Sequence, residues 1–255
     1  MAKSWTQHRE YFCGRHVVVT GAHGGIGQAT ARAFADVGAN VIAIDRTLRD
    51  ASEIADLLPV PVAGSVHSAV AMDFTVPGSV SEGLGEIRSI SRDIAALVNV
   101  AGIAEDALVH MVTAESFRRH MQINLEGHIQ ITQYLTRLMM RTGGGSVVNV
   151  SSVTAIDGNP GQLAYGASKA GMLNATRIFS MELASKGIRV NAVAPGVIDT
   201  EMNRRMDGAA RERLLDRVAM GRIGKPEEVA SVILWLCSPA ASFVTGQTLR
   251  IDGCM

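Results

Sequence analysis

The sequence has few cysteines and no pairing pattern among them. Cys13, Cys237 and Cys254 are the three cysteines of a 255-residue chain, and none belongs to a C-x-x-C pair. An odd count with this scatter argues against a disulfide framework and against a structural zinc site. We therefore expect no metal site and a cytoplasmic protein.

Net charge and long apolar runs are also lacking. The 24 Lys and Arg residues balance the 24 Asp and Glu residues, so no net field favours nucleic acid or an anionic membrane. The longest apolar run, Val232 to Cys237, is far too short to span a bilayer, and the first ten residues lack the apolar core of a signal peptide. We expect a soluble protein whose partners are small molecules or copies of itself.

The sequence does contain a regular alternation of apolar, β-branched runs with helical patterns. Seven runs are typical of strands, at 15–20, 40–45, 68–74, 95–100, 146–150, 188–194 and 248–252. Helical patterns lie between them, including one long pattern over 113–138. This alternation predicts an α/β fold with a single Rossmann-type, doubly wound parallel sheet and helices on both faces.

One domain is expected to span residues 1–255, because the composition shows no linker-like break and 47% of the residues are hydrophobic, which is ample for a core. Residues 1–14 form an N-terminal extension in this interpretation. The mixed polar segment over 198–221 is interpreted as a substrate lid.

A glycine-rich turn follows the first predicted strand and runs Thr20-Gly21-Ala22-His23-Gly24-Gly25-Ile26-Gly27. Such a turn at the start of a helix exposes backbone N–H groups and the positive end of the helix dipole to a pyrophosphate. The spacing is G-x-x-x-G-x-G, which differs from the G-x-G-x-x-G fingerprint of dinucleotide sites. The turn predicts a dinucleotide-binding site, with a purely structural turn as the alternative.

The second predicted strand ends in a carboxylate, Asp45, which comes 18 residues after Gly27. This offset is close to the value of about 20 for the acid that binds the adenosine ribose. A carboxylate there would repel a 2′-phosphate, and Gly24 offers no cation to bind one, so NAD is expected and NADP is less favoured. Arg46 is the competing feature, because its guanidinium could hold a phosphate.

Other candidate contacts follow the remaining strands. Asp73 and Phe74 end the third predicted strand, and Asp73 is expected to reach the adenine amino group. Small residues after the fourth strand would let the chain pass close to a cofactor. Ligands in such sheets bind outside the carboxyl ends of the strands, so these features should meet at one edge.

Tyr165 and Lys169 are spaced four residues apart, which places them on one face of a helix with Cβ atoms about 5–6 Å apart. A nearby cation stabilises a phenolate, so Lys169 is expected to lower the pKa of Tyr165 from its free value of about 10. Ser152, at the end of the fifth strand, could donate a second hydrogen bond to the same substrate oxygen. An ordinary surface pair is the alternative interpretation of this spacing.

Taken together, these motifs resemble those of the short-chain dehydrogenase/reductase family, from about His16 to the C-terminus. The motifs are the glycine turn, Asn99-Val100-Ala101-Gly102, Asn124, Ser152, Tyr165-x-x-x-Lys169 and Pro195-Gly196. The resemblance implies that Asn124 holds a water in a proton relay, Ser152 polarises the carbonyl, Tyr165 is the acid/base, and Lys169 grips the nicotinamide ribose.

The expected catalytic residues are therefore Asn124, Ser152, Tyr165 and Lys169. The expected cofactor contacts are Gly21, His23, Gly24, Gly25, Ile26, Gly27, Asp45, Arg46, Asp73, Phe74, Asn99, Ala101, Gly102, Tyr165, Lys169, Pro195, Gly196, Ile198 and Thr200.

Within the family, the pattern is most similar to 3-oxoacyl-carrier-protein reductases. Two departures are visible: Gly24 stands where those enzymes carry a basic residue, and Cys254 replaces a usual glycine. The predicted function is NAD(H)-dependent hydride transfer to or from a ketone or secondary alcohol, including a 3-oxoacyl thioester. The alternatives are an NADP(H)-dependent dehydrogenase of another small or cyclic alcohol and a nucleotide-sensing protein of the same fold. The resemblance and the small residues of the Tyr165 helix favour a homodimer or homotetramer.

Overall fold

The seven apolar runs form one parallel sheet. The computed structural model describes residues 8–60, 65–201 and 215–255. Its strands are His16–Thr20 (β1), Asn40–Asp45 (β2), Ser68–Ala71 (β3), Ile94–Asn99 (β4), Gly145–Val150 (β5), Ile188–Pro195 (β6) and Thr248–Ile251 (β7). Their spatial order is β3-β2-β1-β4-β5-β6-β7, with all neighbours parallel. The predicted fold class is confirmed.

The helices occupy the segments between the strands. They are Gly25–Asp36 (α1), Leu48–Leu57 (α2), Ser79–Ile90 (α3), Ala114–Met121 (α4), Gly127–Met139 (α5), Thr154–Asp157 (α6), Leu163–Leu183 (α7) and Pro226–Cys237 (α8). The side chain of Thr47 caps α2 by accepting a hydrogen bond from the Asp50 N–H, and Pro226 occupies the first turn of α8. Both are common helix-start features, because they suit the unpaired N–H groups of a first turn.

Alternate strand residues point to two cores, one on each face of the sheet. Val17 and Val19 of β1 lie in the core that α1 and α8 cover, which includes Phe34 and Ile233. Val18 lies in the opposite core with Leu135 of α5. Truncating a fully buried leucine such as Leu135 to alanine costs about 2–5 kcal/mol. The period-2 pattern of the strands therefore produces a sheet that is covered on both sides.

The strand order places a topological switch between β1 and β4. The chain passes from β1 to β2 and β3 on one side, and then returns to add β4 on the other side of β1. The connections after β1 and β4 therefore diverge, and a crevice opens at their carboxyl ends.

Most strand boundaries lie within one residue of the sequence prediction, but two elements differ by more. The third strand ends at Ala71, so Asp73 and Phe74 lie in the turn that follows it. The long helix predicted over 113–138 is divided by a π-helical segment, Gln122–Glu126, between α4 and α5. That segment contains Asn124, whose amide is bound to a loop (below), and such wide turns occur often at functional sites.

Some predictions fall outside the described residues. Residues 1–7 of the predicted N-terminal extension lie there, as do residues 202–214 of the predicted lid, so the lid stays a prediction. Phe12, which belongs to the predicted extension, is fully buried, and its ring makes an edge contact with Phe34 at 5.0 Å. Within the described ranges, no helix is both long and apolar enough to cross a membrane.

Candidate active site

A cavity of about 1860 Å³ runs along the carboxyl ends of the strands. It is lined by the glycine turn after β1 and by the connections after β2, β3, β4, β5 and β6. Ser152, Tyr165 and Lys169 line it, and so do all the predicted cofactor contacts except Asn99. Asn99 and Asn124 are instead buried behind its wall, at 1% and 0% exposure.

The glycine turn fits a pyrophosphate. The φ of Gly21 is +63°, and a Cβ there would lie 2.7 Å from the Ala101 Cα, so a side chain has neither the conformation nor the space. Helix α1 begins with Gly24 as N-cap, without a side-chain cap and without an acid in its first turn. Its N–H groups therefore face the cavity uncapped, and a bound anion would satisfy them.

Asp45 is oriented by backbone donors at the end of β2. Its Oδ2 accepts a hydrogen bond from the His23 N–H at 2.9 Å, and its Oδ1 accepts one from the Arg46 N–H at 2.8 Å. The first of these bonds ties β2 to the glycine turn. The carboxylate is thus held at the cavity wall beside the turn, where a ribose hydroxyl could donate to its remaining lone pairs.

Asp73 lies at the cavity wall but is occupied locally. Its Oδ1 accepts hydrogen bonds from the Thr75 N–H at 2.8 Å and the Thr75 hydroxyl at 2.6 Å. These contacts shape the turn after β3, and they leave Oδ2 as the free oxygen for a ligand. The neighbouring Phe74 carbonyl accepts a hydrogen bond from the Gln122 side chain at 2.9 Å.

Asn124 is fully engaged by protein groups. Its Oδ1 accepts from the Ile103 N–H at 2.8 Å, and its Nδ2 donates to the Ile103 carbonyl at 2.9 Å and the Ser168 hydroxyl at 3.0 Å. The side chain therefore joins the loop after β4 to α7. This contact set describes a buried positioning residue, and the predicted water-holding role stays a prediction.

Lys169 lies beneath the cavity floor. Its ammonium donates to the Val150 carbonyl at 2.8 Å, and only 3% of the residue is exposed. A Cβ on Gly102 would lie 3.3 Å from its Nζ, so a side chain there would be in tight contact with the ammonium. Burial lowers the pKa of Lys169 to about 8, because removal from water disfavours the charged amine.

Tyr165 lies one turn before Lys169 on α7, and its pKa differs from the expectation. Burial raises that pKa above its usual value, whereas a hydrogen bond with the Ser152 side chain opposes the rise and the Asp106 carboxylate adds to it. The expected net lowering by Lys169 is therefore wrong for this structure, because desolvation of the phenolate dominates. A raised pKa keeps the phenol protonated at neutral pH and able to donate.

Two further residues at this end of the cavity were missed by sequence reasoning. Gln162 donates to the Asp106 carboxylate at 3.1 Å and accepts from the Thr154 hydroxyl at 2.9 Å. It therefore links the loop after β4 with α6, one turn before Tyr165. No fixed spacing connects Asp106 with Gln162 in the sequence, so a pattern could not have paired them.

The C-terminal segment reaches the cavity wall at Met255. Arg250 forms ion pairs with Asp157 and Asp252, both at 2.7 Å, and Met255 lines the cavity. Cys254 has a φ of +61°, a left-handed conformation that favours glycine. A left-handed backbone conformation explains why glycine is usual at this position in the family. Cys254 adopts this conformation at some cost in strain.

Comparison with known proteins identifies the family. A family model described as Enoyl-(Acyl carrier protein) reductase matches residues 21–255. The chain is 43% identical over 243 residues to the 3-oxoacyl-[acyl-carrier-protein] reductase FabG of Thermotoga maritima, covering 94% of this chain and 97% of the relative. The chain belongs to the short-chain dehydrogenase/reductase family. It is also 37% identical to the 3-oxoacyl-[acyl-carrier-protein] reductase FabG of Vibrio cholerae, over 95% of this chain and 97% of that relative.

A solved structure agrees with this assignment. It is described as a putative NAD(P)-dependent gluconate 5-dehydrogenase from Beutenbergia cavernae with NADP bound at low occupancy. Its TM-score is 0.86 at 33% identity, over 94% of this chain and 96% of that chain. The resemblance inferred from the motifs is confirmed. As a member of this family, the chain is an oxidoreductase that acts on CH–OH or ketone groups with a nicotinamide cofactor.

The position of Asp106 predicts a pH effect. Because this carboxylate raises the pKa of Tyr165, Asp106→Asn should lower that pKa, so the phenolate appears at lower pH. The measurement is an ultraviolet difference titration of phenolate, with Tyr165→Phe as the blank. Asp157→Asn is the matched control, because Asp157 also lines the cavity but is paired with Arg250. A Tyr165 titration at unchanged or higher pH in Asp106→Asn would contradict the prediction.

Proposed function

We propose that this enzyme reduces the 3-oxo group of an acyl thioester, using NADH. The observation that supports it most is the convergence of Ser152, Tyr165 and Lys169 at one end of a cavity whose other end carries the glycine turn and Asp45. The choice of substrate rests on relatives of near-equal length that are named 3-oxoacyl-[acyl-carrier-protein] reductases.

The proton chemistry follows from the environment of the phenol. In the direction of reduction, Tyr165 donates its proton to the carbonyl oxygen while the hydroxyl of Ser152 donates a hydrogen bond to the same oxygen. The phenol of Tyr165 is protonated near neutral pH and so has a proton to donate, although burial raises its pKa and makes it a weaker acid in the absence of cofactor. The phenolate that remains is then stabilised by the buried cation of Lys169. When bound, a nicotinamide cofactor would supply the hydride for the carbonyl carbon.

The residues that would hold the cofactor are distributed along the cavity. The uncapped start of α1 would bind the pyrophosphate, Asp45 the adenosine ribose, and Lys169 the nicotinamide ribose. The choice of NADH rests on Asp45, because its carboxylate is held at the wall by the backbone N–H groups of His23 and Arg46. A 2′-phosphate placed there would meet a fixed negative charge.

Removal of the phenol hydroxyl tests the catalytic assignment. Tyr165→Phe should lower kcat by about 10²-fold or more, the lower range for a lost general acid. Binding of NADH should persist, because the ring and the glycine turn remain. Turnover of a 3-oxoacyl thioester and equilibrium NADH fluorescence are the two measurements. Tyr134→Phe on α5 is the matched control, since Tyr134 packs in the core outside the cavity; near-normal kcat in Tyr165→Phe would remove the assignment.

The ribose assignment has its own test. Asp45→Asn should raise kcat/KM with NADPH relative to NADH by about tenfold, because the repelling charge is lost while the amide oxygen can keep one of the two backbone hydrogen bonds. Asp56→Asn on α2 is the control, since Asp56 is exposed and does not line the cavity. A wild-type preference for NADPH would show instead that Arg46 governs this site.

Substrate identity can be resolved with a panel. The family model is described as an enoyl reductase, the curated relatives as 3-oxoacyl reductases and the solved neighbour as a putative gluconate dehydrogenase. Assays with 3-oxoacyl thioesters, 2-enoyl thioesters, gluconate and simple secondary alcohols, each with NAD(H) and NADP(H), separate these activities. Tight cofactor binding without turnover of any member would favour a nucleotide-sensing protein. The cytoplasmic location is part of the proposal and rests on cysteine usage.

We also propose that copies of the chain associate as a dimer or tetramer through α7. The glycines of α7 do not supply the surface, because Gly166 faces Thr154 and Gly171 faces Leu125 of the same chain. Instead, Ile178 and Met181 are 46% and 66% exposed on one face of this helix.

Sedimentation tests the proposed association. Wild-type protein should sediment as a dimer or tetramer at micromolar concentration, and Met181→Lys should shift it toward the monomer by placing a charge in the apolar surface. The control is Arg88→Lys on the exposed side of α3. A wild-type monomer would overturn the proposal.

A further inference from the structure

A buried histidine lies behind the cavity wall and is used by none of the chemistry above. His128, in the first turn of α5, is 1% exposed. Its Nε2 lies 2.7 Å from the Ala101 carbonyl, and its Nδ1 lies 3.2 Å from the Asn99 Oδ1. Its ring meets the edge of Phe74 with centroids 5.2 Å apart and planes at 81°. Three predicted cofactor contacts therefore converge on one side chain.

The hydrogen bonds around His128 identify which nitrogen carries the proton. Burial and the Lys169 charge lower the pKa of His128 to about 3, so the ring is neutral and has one N–H. Asn99 donates its amide to the Thr132 hydroxyl at 3.0 Å and the Asn149 side chain at 2.7 Å, which turns its oxygen toward His128. We assign the proton to Nε2 because its contact is the shorter one, so Nε2 donates to the Ala101 carbonyl. Nδ1 then carries a lone pair, and its contact with the Asn99 oxygen, also an acceptor, is not a hydrogen bond.

The loop after β4 is thereby fastened from two sides. Helical residues Asn124 and His128 bind it at alternate positions, Ile103 and Ala101. From the β1 side, the Thr20 hydroxyl accepts from the Val100 and Ala101 N–H groups at 3.0 and 3.2 Å. The peptide groups of Ala101 are thus fixed at both the N–H and the carbonyl.

This loop has almost no freedom to move without affecting the site. Ala101 abuts Gly21 of the glycine turn, and a Cβ on the next residue, Gly102, would lie 3.3 Å from the Nζ of Lys169. A rotation of the Ala101 carbonyl would tilt the adjoining Gly102 peptide toward or away from the buried ammonium. The hydrogen bond from the His128 ring to the Ala101 carbonyl is therefore in a position to set the shape of the cavity wall.

The geometry points to His128 as a positioning residue of the cofactor site: its Nε2–H holds the Ala101 carbonyl, and so keeps the Ala101–Gly102 backbone in the conformation that binds the nicotinamide cofactor. This inference rests on the proposed cofactor site. It concerns affinity for the cofactor, and it assigns His128 no contact with substrate.

Three substitutions separate the Ala101 bond from simple packing. His128→Gln can place an amide N–H near the position of Nε2, His128→Asn can place one near Nδ1, and His128→Leu retains volume without a donor. The measurement is the NADH dissociation constant of the purified protein without substrate, followed by fluorescence. His128→Leu and His128→Asn should weaken binding about tenfold, and His128→Gln should stay within about threefold of wild type.

A stability control distinguishes this role from a general loss of stability of the fold. Leu135→Ala, two turns along α5 and fully buried, should lower the thermal midpoint at least as far as His128→Leu while leaving the NADH dissociation constant unchanged. If His128→Leu does not fold, the Gln and Asn variants decide the matter by the same comparison.

The outcomes separate this inference from the proposed function. Wild-type protein that binds neither NADH nor NADPH would overturn both. Tight binding by wild type together with equal binding by all folded His128 variants would overturn the inference alone. The inference would also be overturned if His128→Gln weakened NADH binding as much as His128→Leu, or if Leu135→Ala weakened it as well. In either case the hydrogen bond to Ala101 would not be the cause.

Discussion

The structure depends on the conformation of the short segment after β4. It must pass within contact distance of the glycine turn on one side and of Lys169 on the other, so its own side chains are small and its backbone groups need partners elsewhere. Thr20, Asn124 and His128 supply those partners. Unmet hydrogen bonds in this half-buried loop would be costly, and the loop is instead fixed by three side chains from three elements: β1, the π-helical segment and α5.

Burial governs the proton chemistry more than charge pairing does. The ammonium of Lys169 is bonded to a backbone carbonyl, and desolvation lowers its pKa toward neutrality. Desolvation moves the pKa of Tyr165 in the opposite direction and keeps its phenol protonated. The same surroundings keep His128 neutral and leave it one N–H to donate. One dry environment thus assigns different protonation states to three neighbouring groups.

Much of the fold and part of the site were predictable from the sequence. Seven parallel strands follow from apolar runs that alternate with helical patterns, whereas their spatial order came only from the structure. Asp45 and the glycine turn were recognisable because their chemistry depends on local spacing. The break in the predicted 113–138 helix was not recognisable, since the π-helical segment arises where Asn124 bonds to Ile103, far away in sequence. Asp73 was expected at a strand end, but its bonds to Thr75 form a turn there instead.

The sequence by itself determined the elements, the family and the residue types of the chemistry, because strand alternation, helix spacing and glycine turns are local properties. Only the tertiary structure decided how those residues behave. The direction of the Tyr165 pKa depends on burial that no motif encodes, and Asp106 and Gln162 meet only when the loop after β4 approaches α7. The role of His128 has the same origin: its partners, Asn99 and Ala101, are brought to it by the packing of α5 on the sheet.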